Sequence, residues 1–517
     1  MGKGKKSAKI LVFGLISQVV TLSLGIVIPR LLIVSYGSEI NGLLSSIKQI
    51  FVYVALLEAG IGTAALQALY EPVGNNNREK VSEIMSATSH YYRRTGILYG
   101  LSVVVLAFIY PLIFRSELNK LLIALIILLQ GSAGVIRYFF QGKLIILLRV
   151  DGKSYITTNI ATIVSVATYI VQIVLILCGF NIIAVQIAYF IINMAQMIYL
   201  TAYIKKHYEW LNLNAKPDYK ALSSSKSVIL HQVSGLIFNN TDVLLLTYFC
   251  GLKTVSVYSL YSLIMSCVSN IIDTICSSVE FLLGQTFNTD RKKFLKIQEV
   301  YETYYLAISF CLFAITLIML PSFIYLYSKG ITDIDYSDKW LPYLFVILNV
   351  LMYARRTSSQ IINFAGHFKQ TQWRSAMESV INLTVSLICV QKFGIHGILM
   401  GTIVALLYRT NDIIIYANMK ILYRKPWKTY RRWFVNTVVL VCCVYLSRKI
   451  IGEVDTYIVW AFNAIKVSII CILAFLVTAS VCDISSYTIV RDFVKKNMNI
   501  LKIKNRNVSK RKTVNEN

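Results

Sequence analysis

Charged residues are scarce in this sequence. Asp, Glu, Lys and Arg make up 15% of its 517 residues, whereas apolar residues make up 56%. Soluble domains carry about 25% charged residues, so this composition excludes an ordinary soluble domain. Apolar runs of 18 or more residues recur along the chain, and each is long enough to cross a hydrocarbon core of about 30 Å. They are too long and too apolar for barrel strands, so the sequence predicts an all-α, polytopic membrane protein.

The chain also lacks the motifs of metal sites, disulfide frameworks and ATPases. Its ten cysteines include no CxxC pair, and most lie in or beside apolar runs, where Cys behaves as a small hydrophobic residue. There is no GxxxxGK[ST], HExxH or GxSxG sequence. We therefore expect no metal ion, no cofactor and no enzymatic activity. Any transport would draw its energy from ion gradients, the membrane potential or the supply of substrate.

The apolar runs predict about 14 transmembrane helices. Several exceed the roughly 20 residues that a bilayer requires, so we expect them to tilt or to project past the membrane. The predicted spans are 10–34, 40–70, 80–114, 118–142, 155–178, 181–204, 226–250, 254–286, 294–327, 340–365, 373–391, 395–418, 433–450 and 457–480.

The net charge of +27 would suit a nucleic-acid-binding protein, but the positions of the charges indicate otherwise. With the N-terminus in the cytoplasm, 37 of the 52 Lys and Arg residues fall in predicted inner segments and eight in outer turns. This is a strong positive-inside bias, which predicts an even number of helices with both termini cytoplasmic. We expect the basic tail Arg491–Lys512 to contact anionic lipid, and we expect no nucleic-acid partner.

Three glycine pairs indicate an internal duplication. Gly37 and Gly251 are 214 positions apart, as are Gly152 and Gly366, and Gly179 and Gly394 are 215 apart. Six helices in each half would give both halves the same orientation, with a cavity between them and alternating access by rocking. The predicted divisions are a six-helix lobe over 1–210, a linker over 211–225, a second lobe over 226–420, a helix pair over 421–480 and a basic tail over 481–517.

Seven Lys and Arg residues remain for the bilayer, and six of them are candidate ligands for an anion. Charges at this depth are costly and usually face a cavity, and the planar guanidinium group binds two phosphate oxygens at once. A membrane-borne pyrophosphate is therefore the predicted anion. Snorkelling to an interface and buried ion pairing remain alternatives, and at most one of the adjacent pair in helix 10 should face the cavity. The six are Arg30, Lys48, Arg137, Arg355, Arg356 and Arg409.

Four acids in the spans are candidates for ion coupling or for pairing. Glu58 and Asp273 are 215 positions apart, and they would bind Na⁺ or H⁺, or pair with Lys48 or Arg30. Asp412 follows Arg409 by three residues on one helix face, which predicts an intrahelical pair. The fourth, Asp242, belongs to a polar patch at residues 239–242 suited to sugar hydroxyls or an ion, or to interhelical hydrogen bonding.

The first two helices resemble a known family. The sequences IPRLLIVSYGSEINGLLSSIKQI and LLEAGIGTAALQALYEP are similar to the start of bacterial Wzx-type polysaccharide repeat-unit flippases. That superfamily also contains lipid II flippases and MATE exporters. The resemblance implies a MATE-like fold in the bacterial cytoplasmic membrane and a cation-lined central cavity. It also implies transfer of an undecaprenyl-pyrophosphate-linked oligosaccharide to the outer leaflet, with Arg30 at a position where such flippases often carry an arginine.

Alternatives to that cargo and function stay open from the sequence. Many repeat-unit flippases stop at twelve helices, and the two additional ones predicted here match the layout of lipid II flippases. A cation-coupled exporter of small organic compounds would depend on Glu58, Asp242 and Asp273 instead of the arginines. A membrane scaffold for a glycan-assembly complex would depend on its loops. A polysaccharide polymerase or assembly complex is a further expected partner.

Overall fold

The computed structural model describes residues 24–58, 61–222, 225–447, 451–452 and 454–492. Within them no β-strand occurs. The predicted start of the first helix at residue 10 and most of the basic tail lie outside these ranges. Up to residue 207 the helices are α1 Leu24–Tyr36, α2 Ser38–Val54, α3 Ile61–Gly74, α4 Arg78–Ile113, α5 Lys120–Ile136, α6 Gly142–Val150, α7 Ser154–Leu177 and α8 Ile182–His207.

Four short helical turns of other types join or extend these helices. They are the 3₁₀ turns Ala55–Glu58 and Lys220–Leu222 and the π-helical turns Arg137–Gln141 and Ala417–Ile421. The remaining α-helices are α9 Ser225–Thr289, α10 Arg291–Ser328, α11 Leu341–Ala354, α12 Arg356–Phe364, α13 Phe368–Phe393, α14 Ile395–Tyr416, α15 Trp427–Ser447 and α16 Tyr457–Cys482.

The helices follow the predicted spans closely, with differences where a span is interrupted. The predicted helix over 40–70 contains the 3₁₀ turn that ends at Glu58, and the one over 118–142 contains a π-helical turn. The predicted break between residues 250 and 254 is a single non-helical residue, Gly251, because its φ of 81° and ψ of 171° redirect the chain without a loop. Among the described residues, nine helices are long and apolar enough to cross a membrane.

The three glycine pairs share one backbone feature. Gly37 and Gly251 have φ values of 87° and 81°, Gly152 and Gly366 both have 68°, and Gly179 and Gly394 have 76° and 53°. Positive φ is costly for residues with a Cβ, so each position requires glycine for the same reason in both halves of the sequence.

The chain divides into two compact units. Unit 1 contains residues 1–264, 328–336 and 374–404, and unit 2 contains residues 265–327, 337–373 and 405–517. These units are not the same segments as the predicted lobes, whose bounds stay a prediction.

In unit 1, α4 packs closely against α5 and α6 because glycines on these two helices face aromatic rings of α4. A Cβ on Gly134 would lie 2.4 Å from the Tyr99 hydroxyl, and one on Gly142 would lie 2.1 Å from the Tyr92 ring. Small residues let membrane helices approach in this way. The buried faces of α2 to α8 form one apolar core around this contact.

In unit 2, α16 lies along α10. The Trp460 indole donates to the Met319 carbonyl oxygen (3.1 Å), and the Tyr457 hydroxyl donates to that of Leu326 (3.2 Å). Toward the other end of α16, the Tyr304 and Ser480 hydroxyls are 3.2 Å apart. The helix is therefore attached to α10 along its whole length.

Candidate functional site

Three of the predicted cations lie in unit 1. Lys48 is exposed near the middle of the apolar span Ser38–Glu58. Arg137 is also exposed and begins the π-helical turn. Arg30 is partly buried on α1. Within the described part of the chain, neither Lys48 nor Arg137 forms an ion pair.

Two of the predicted cations in unit 2, Arg356 and Arg409, are engaged with acids. Arg356 begins α12, and its guanidinium group donates to Asp273 and, through Nε, to Glu280 (2.8 Å). Its side chain is 25% exposed, and the preceding Arg355 is partly buried. Asp273 thus has a cationic partner that the sequence did not indicate, because the two residues are 83 positions apart. Glu280, the second acidic partner of Arg356, was not among the residues that the sequence analysis indicated.

Arg409 and Asp412 form the predicted intrahelical pair. Nη1 of Arg409 is 2.6 Å from the Asp412 carboxylate, and both side chains are largely buried in α14. The pairing prediction is confirmed. It occupies part of the guanidinium group, so fewer of the Arg409 donors remain for any other partner.

Asp242 is the centre of a buried polar cluster in unit 1. Its carboxylate accepts hydrogen bonds from the Tyr258 hydroxyl (3.1 Å) and the Thr402 hydroxyl (3.2 Å). Asn382 on α13 donates from Nδ2 to the Thr402 oxygen (2.8 Å). Asp242 is 5% exposed and Asn382 is 1% exposed. The sequence indicated Asp242 but not the other members, which lie on α13, α14 and the second half of α9.

The chemistry of this cluster suits a small hard cation. Asp242 has no cationic side chain within ion-pair distance among the described residues. The buried Oδ1 of Asn382 has no hydrogen-bond partner there either, which is costly unless a ligand satisfies it. A carboxylate, an amide oxygen and hydroxyl oxygens are ligands for such cations. Among the described residues, no group of three His, Cys, Asp or Glu side chains could hold a metal ion.

The polar patch that begins with Asn239 continues from this cluster toward α2. The Tyr53 and Thr241 hydroxyls are 2.8 Å apart, and the Gln49 amide donates to Asn240. The side chain of Asn239 lies outside the described part. Interhelical hydrogen bonding therefore accounts for two of the patch residues, as the alternative interpretation predicted.

Glu58 lies at the end of the 3₁₀ turn after α2, and the Tyr92 hydroxyl on α4 donates to its carboxylate. The Tyr92 ring packs on Tyr138, with ring centroids 6.4 Å apart. No Lys or Arg is within ion-pair distance of Glu58 among the described residues. The predicted acid thus has phenol neighbours in place of a salt bridge.

A buried charge network in unit 2 was not indicated by the sequence. Arg432 on α15 donates from Nη1 to Glu302 (3.0 Å) and from Nε to Asp483 (3.0 Å). Arg424 donates to the same Glu302 oxygen (2.9 Å), and the Thr303 hydroxyl donates to Asp483 (2.8 Å). Every carboxylate in this network has a guanidinium partner, so the network is structural in character.

Comparison with known proteins gives structural matches only. No protein-family model and no curated protein matches the sequence. A structure of the lipid II flippase MurJ in an inward closed conformation is similar to this chain with a TM-score of 0.71 and 14% identity, covering 93% of this chain and 100% of that one.

Two structures of a multidrug resistance MATE family transporter of the MOP superfamily, in inward-facing and outward-facing conformations, are also similar. The inward-facing structure has a TM-score of 0.64 and 15% sequence identity, and the match covers 78% of this chain and 94% of that chain. The outward-facing one has a TM-score of 0.52 and 16% identity, with 79% and 94% covered. This protein is therefore an all-helical, multi-pass membrane protein with the MATE-like fold that these transporters and the flippase share.

Proposed function

We propose that this protein is a flippase that moves an undecaprenyl-pyrophosphate-linked oligosaccharide from the cytoplasmic to the outer leaflet by alternating access. It would serve the synthesis of a cell-surface polysaccharide in a bacterial cytoplasmic membrane. The bias of 37 Lys and Arg against eight supports cytoplasmic termini.

The observation that carries the proposal is that Lys48 is exposed within an apolar span. A cation near the middle of an apolar span is costly unless it faces water or a ligand. Lys48 is exposed and has no acidic partner among the described residues. Arg137 supplies a second such charge in the same unit. Two uncompensated cations suit the pyrophosphate group, whereas the polyprenyl chain would remain in lipid.

The extent of structural similarity favours a flippase over an exporter. The lipid II flippase structure covers 93% of this chain, whereas the MATE structures described above cover 78% and 79%. Lipid II itself therefore stays an alternative cargo.

The Asp242 cluster supplies a means of coupling. A buried carboxylate without a cationic partner can bind Na⁺ or a proton, and differential binding in two conformations would drive transport. The same cluster supports a second candidate function, cation-coupled export of small organic compounds. In that case Asp242 would be essential and Lys48 dispensable.

The test is flipping of a fluorescent undecaprenyl-pyrophosphate oligosaccharide in liposomes that contain the purified protein. We expect Lys48→Gln to reduce flipping at least as much as Arg137→Gln, and Lys120→Gln to have no effect, because Lys120 is an exposed lysine at the start of α5. Full activity of the Lys48 variant would overturn the phosphate-binding role. Ion-driven efflux of an organic cation without any flipping would assign the protein to the exporter class.

A further inference from the structure

A further group of basic residues lies in unit 1, apart from the cations that the sequence indicated. Lys143 is the second residue of α6, and its ammonium group donates to the Ser89 hydroxyl on α4 (2.8 Å). Arg93 follows Ser89 by four residues, so the two lie on the same side of α4. Arg93 is also close enough to Lys143 to repel its charge. Two cations from two helices therefore lie beside one hydroxyl group.

Close packing against α4 fixes the position of Lys143. A Cβ on Gly96 would lie 2.6 Å from the Phe139 ring, and one on Gly142 would lie 2.1 Å from the Tyr92 ring. Phe139 precedes Lys143 by four residues, about one helical turn. These contacts hold the start of α6 against α4, so the Lys143 side chain lies between the two helices.

The group lies at the ends of two apolar spans. Lys143 follows the span Lys120–Phe140 by three residues, and Arg93 lies shortly before the uncharged stretch 95–113 of α4. Both ends belong to predicted inner segments of the chain. Lipid phosphates lie at this depth, just outside a hydrocarbon core of about 30 Å. Basic pockets between membrane helices on the cytoplasmic side suit anionic lipid headgroups.

No acid balances these two charges. Lys143 is partly buried and Arg93 is exposed, and within the described residues neither forms an ion pair. Burial lowers the pKa of Lys143, and the Arg93 guanidinium group lowers it further. The ammonium group has three N–H donors but only a neutral hydroxyl as its acceptor among the described side chains. An anion between the two cations would accept the remaining donors and offset the repulsion.

We propose that Lys143, Ser89 and Arg93 form a binding site for the phosphate group of an anionic lipid at the predicted cytoplasmic surface. Lys143 donates to one phosphate oxygen, and the Ser89 hydroxyl donates to the same phosphate while it accepts from Lys143. Arg93 supplies guanidinium donors from the exposed side. The lipid chains remain in the bilayer. A glycerophospholipid and a polyprenyl pyrophosphate both present this chemistry, so the inference does not depend on the proposed cargo.

The test is native mass spectrometry of the purified full-length protein with phosphatidylglycerol, with a short-chain polyprenyl pyrophosphate and with zwitterionic phosphatidylcholine as the control lipid. We expect Lys143→Gln to weaken binding of an anionic lipid about tenfold, Arg93→Gln about fivefold, and Lys143→Arg to retain most of the affinity. Arg94→Gln is the matched control and should change nothing, because Arg94 is exposed on another side of α4. Wild-type affinity in Lys143→Gln, or equal losses in Lys143→Gln and Arg94→Gln, would overturn the proposal.

Thermal unfolding distinguishes a binding site from a lysine that only supports the fold. In uncharged detergent without lipid, Lys143→Gln should melt no lower than the wild type, because it removes the repulsion from Arg93 and keeps a donor for Ser89. The anionic lipid should then raise the melting temperature of the wild type more than that of the variant. A variant that melts lower and shows the full lipid-induced shift would contradict the proposal.

The two anionic probes identify the source of the phosphate. A loss confined to the polyprenyl pyrophosphate would assign the site to the transported lipid, and a loss with phosphatidylglycerol would assign it to a lipid of the bilayer. Neither measurement requires transport. A protein that binds lipid through Lys143 yet flips no lipid-linked oligosaccharide would refute the proposed function alone.

Discussion

Asn41 and Ser256 are 215 positions apart in the sequence, and they are hydrogen-bonded to each other. Nδ2 of Asn41 donates to the Ser256 hydroxyl oxygen over 2.7 Å, and both side chains are buried. Asn41 lies four residues after Gly37 and Ser256 lies five residues after Gly251, so the hydrogen bond joins the starts of the two helical segments that follow this pair of turn glycines. The Ser256 hydroxyl is also 2.8 Å from that of Tyr336.

The energy of this contact can be measured with a double-mutant cycle. We expect Asn41→Ala and Ser256→Ala each to destabilise the protein by about 1 kcal/mol, with a coupling energy of similar size, because each removes one partner of a buried hydrogen bond. Thermal unfolding of the four proteins in detergent gives the coupling. Strict additivity of the two substitutions would show that the hydrogen bond contributes nothing.

Gly42 follows Asn41 on α2 and lies close to the backbone of α9, so it should tolerate no side chain. A Cβ at this position would lie 1.9 Å from the Leu252 carbonyl oxygen, and backbone cannot move aside as a flexible side chain does. We expect Gly42→Ala to cost about 2 kcal/mol or more, measured as loss of thermal stability. Gly100→Ala is the matched control, because its Cβ would meet only Val135 at an ordinary 3.7 Å. Equal stability of the two variants would contradict this packing.

Arg432 should be far more important for stability than its neighbour Arg431. Arg432 is 5% exposed and bonded to two buried carboxylates, Glu302 and Asp483, so its removal leaves Asp483 without a guanidinium partner and Glu302 with Arg424 alone. We expect Arg432→Ala to cost about 3–5 kcal/mol. Arg431 is exposed, and Arg431→Ala should change stability by less than about 0.5 kcal/mol. Thermal unfolding of the two variants compares them directly.

The pH dependence of Asp483 follows from the same network. Burial alone would raise its pKa, but Arg432 holds the pKa at about 2. The resulting stability is complete above the ordinary Asp pKa of about 3.9 and is lost as the pH falls through the folded-state value of about 2. Asp483→Asn should therefore be less stable than the wild type by about 2 kcal/mol, with no change in that difference between pH 8 and pH 5. Convergence of the two melting curves within that range would contradict it.

The fold was largely predictable because its signals are local. Membrane helices are continuous apolar runs, so their ends follow from composition, and α7 begins one residue before its predicted start. The turn at Gly37 was visible because only glycine takes its φ of 87° readily. The π-helical turn after α5 had no such signal, since Arg137–Gln141 contains neither glycine nor proline.

The candidate site was only partly predictable because its contacts are not local. Arg409 and Asp412 are three residues apart, so helix geometry alone pairs them. Arg356 and Asp273 meet through tertiary packing across 83 positions, and Asp242 meets Thr402 across 160. A periodic pattern of residue types does not reveal contacts between residues that are so far apart in the sequence. The roles of the predicted cations and acids in binding remain predictions.

The Glu302 network also sets an order for assembly during synthesis. Glu302 is made long before its partners, since Arg424 and Arg432 follow it by 122 and 130 residues. Until α15 leaves the ribosome, the first part of α10 carries a carboxylate that neither lipid nor its own neighbours can compensate. A chain that stops before Arg424 therefore lacks both guanidinium partners of Glu302. The segment from Arg424 to Arg432 thus completes the charge balance of α10.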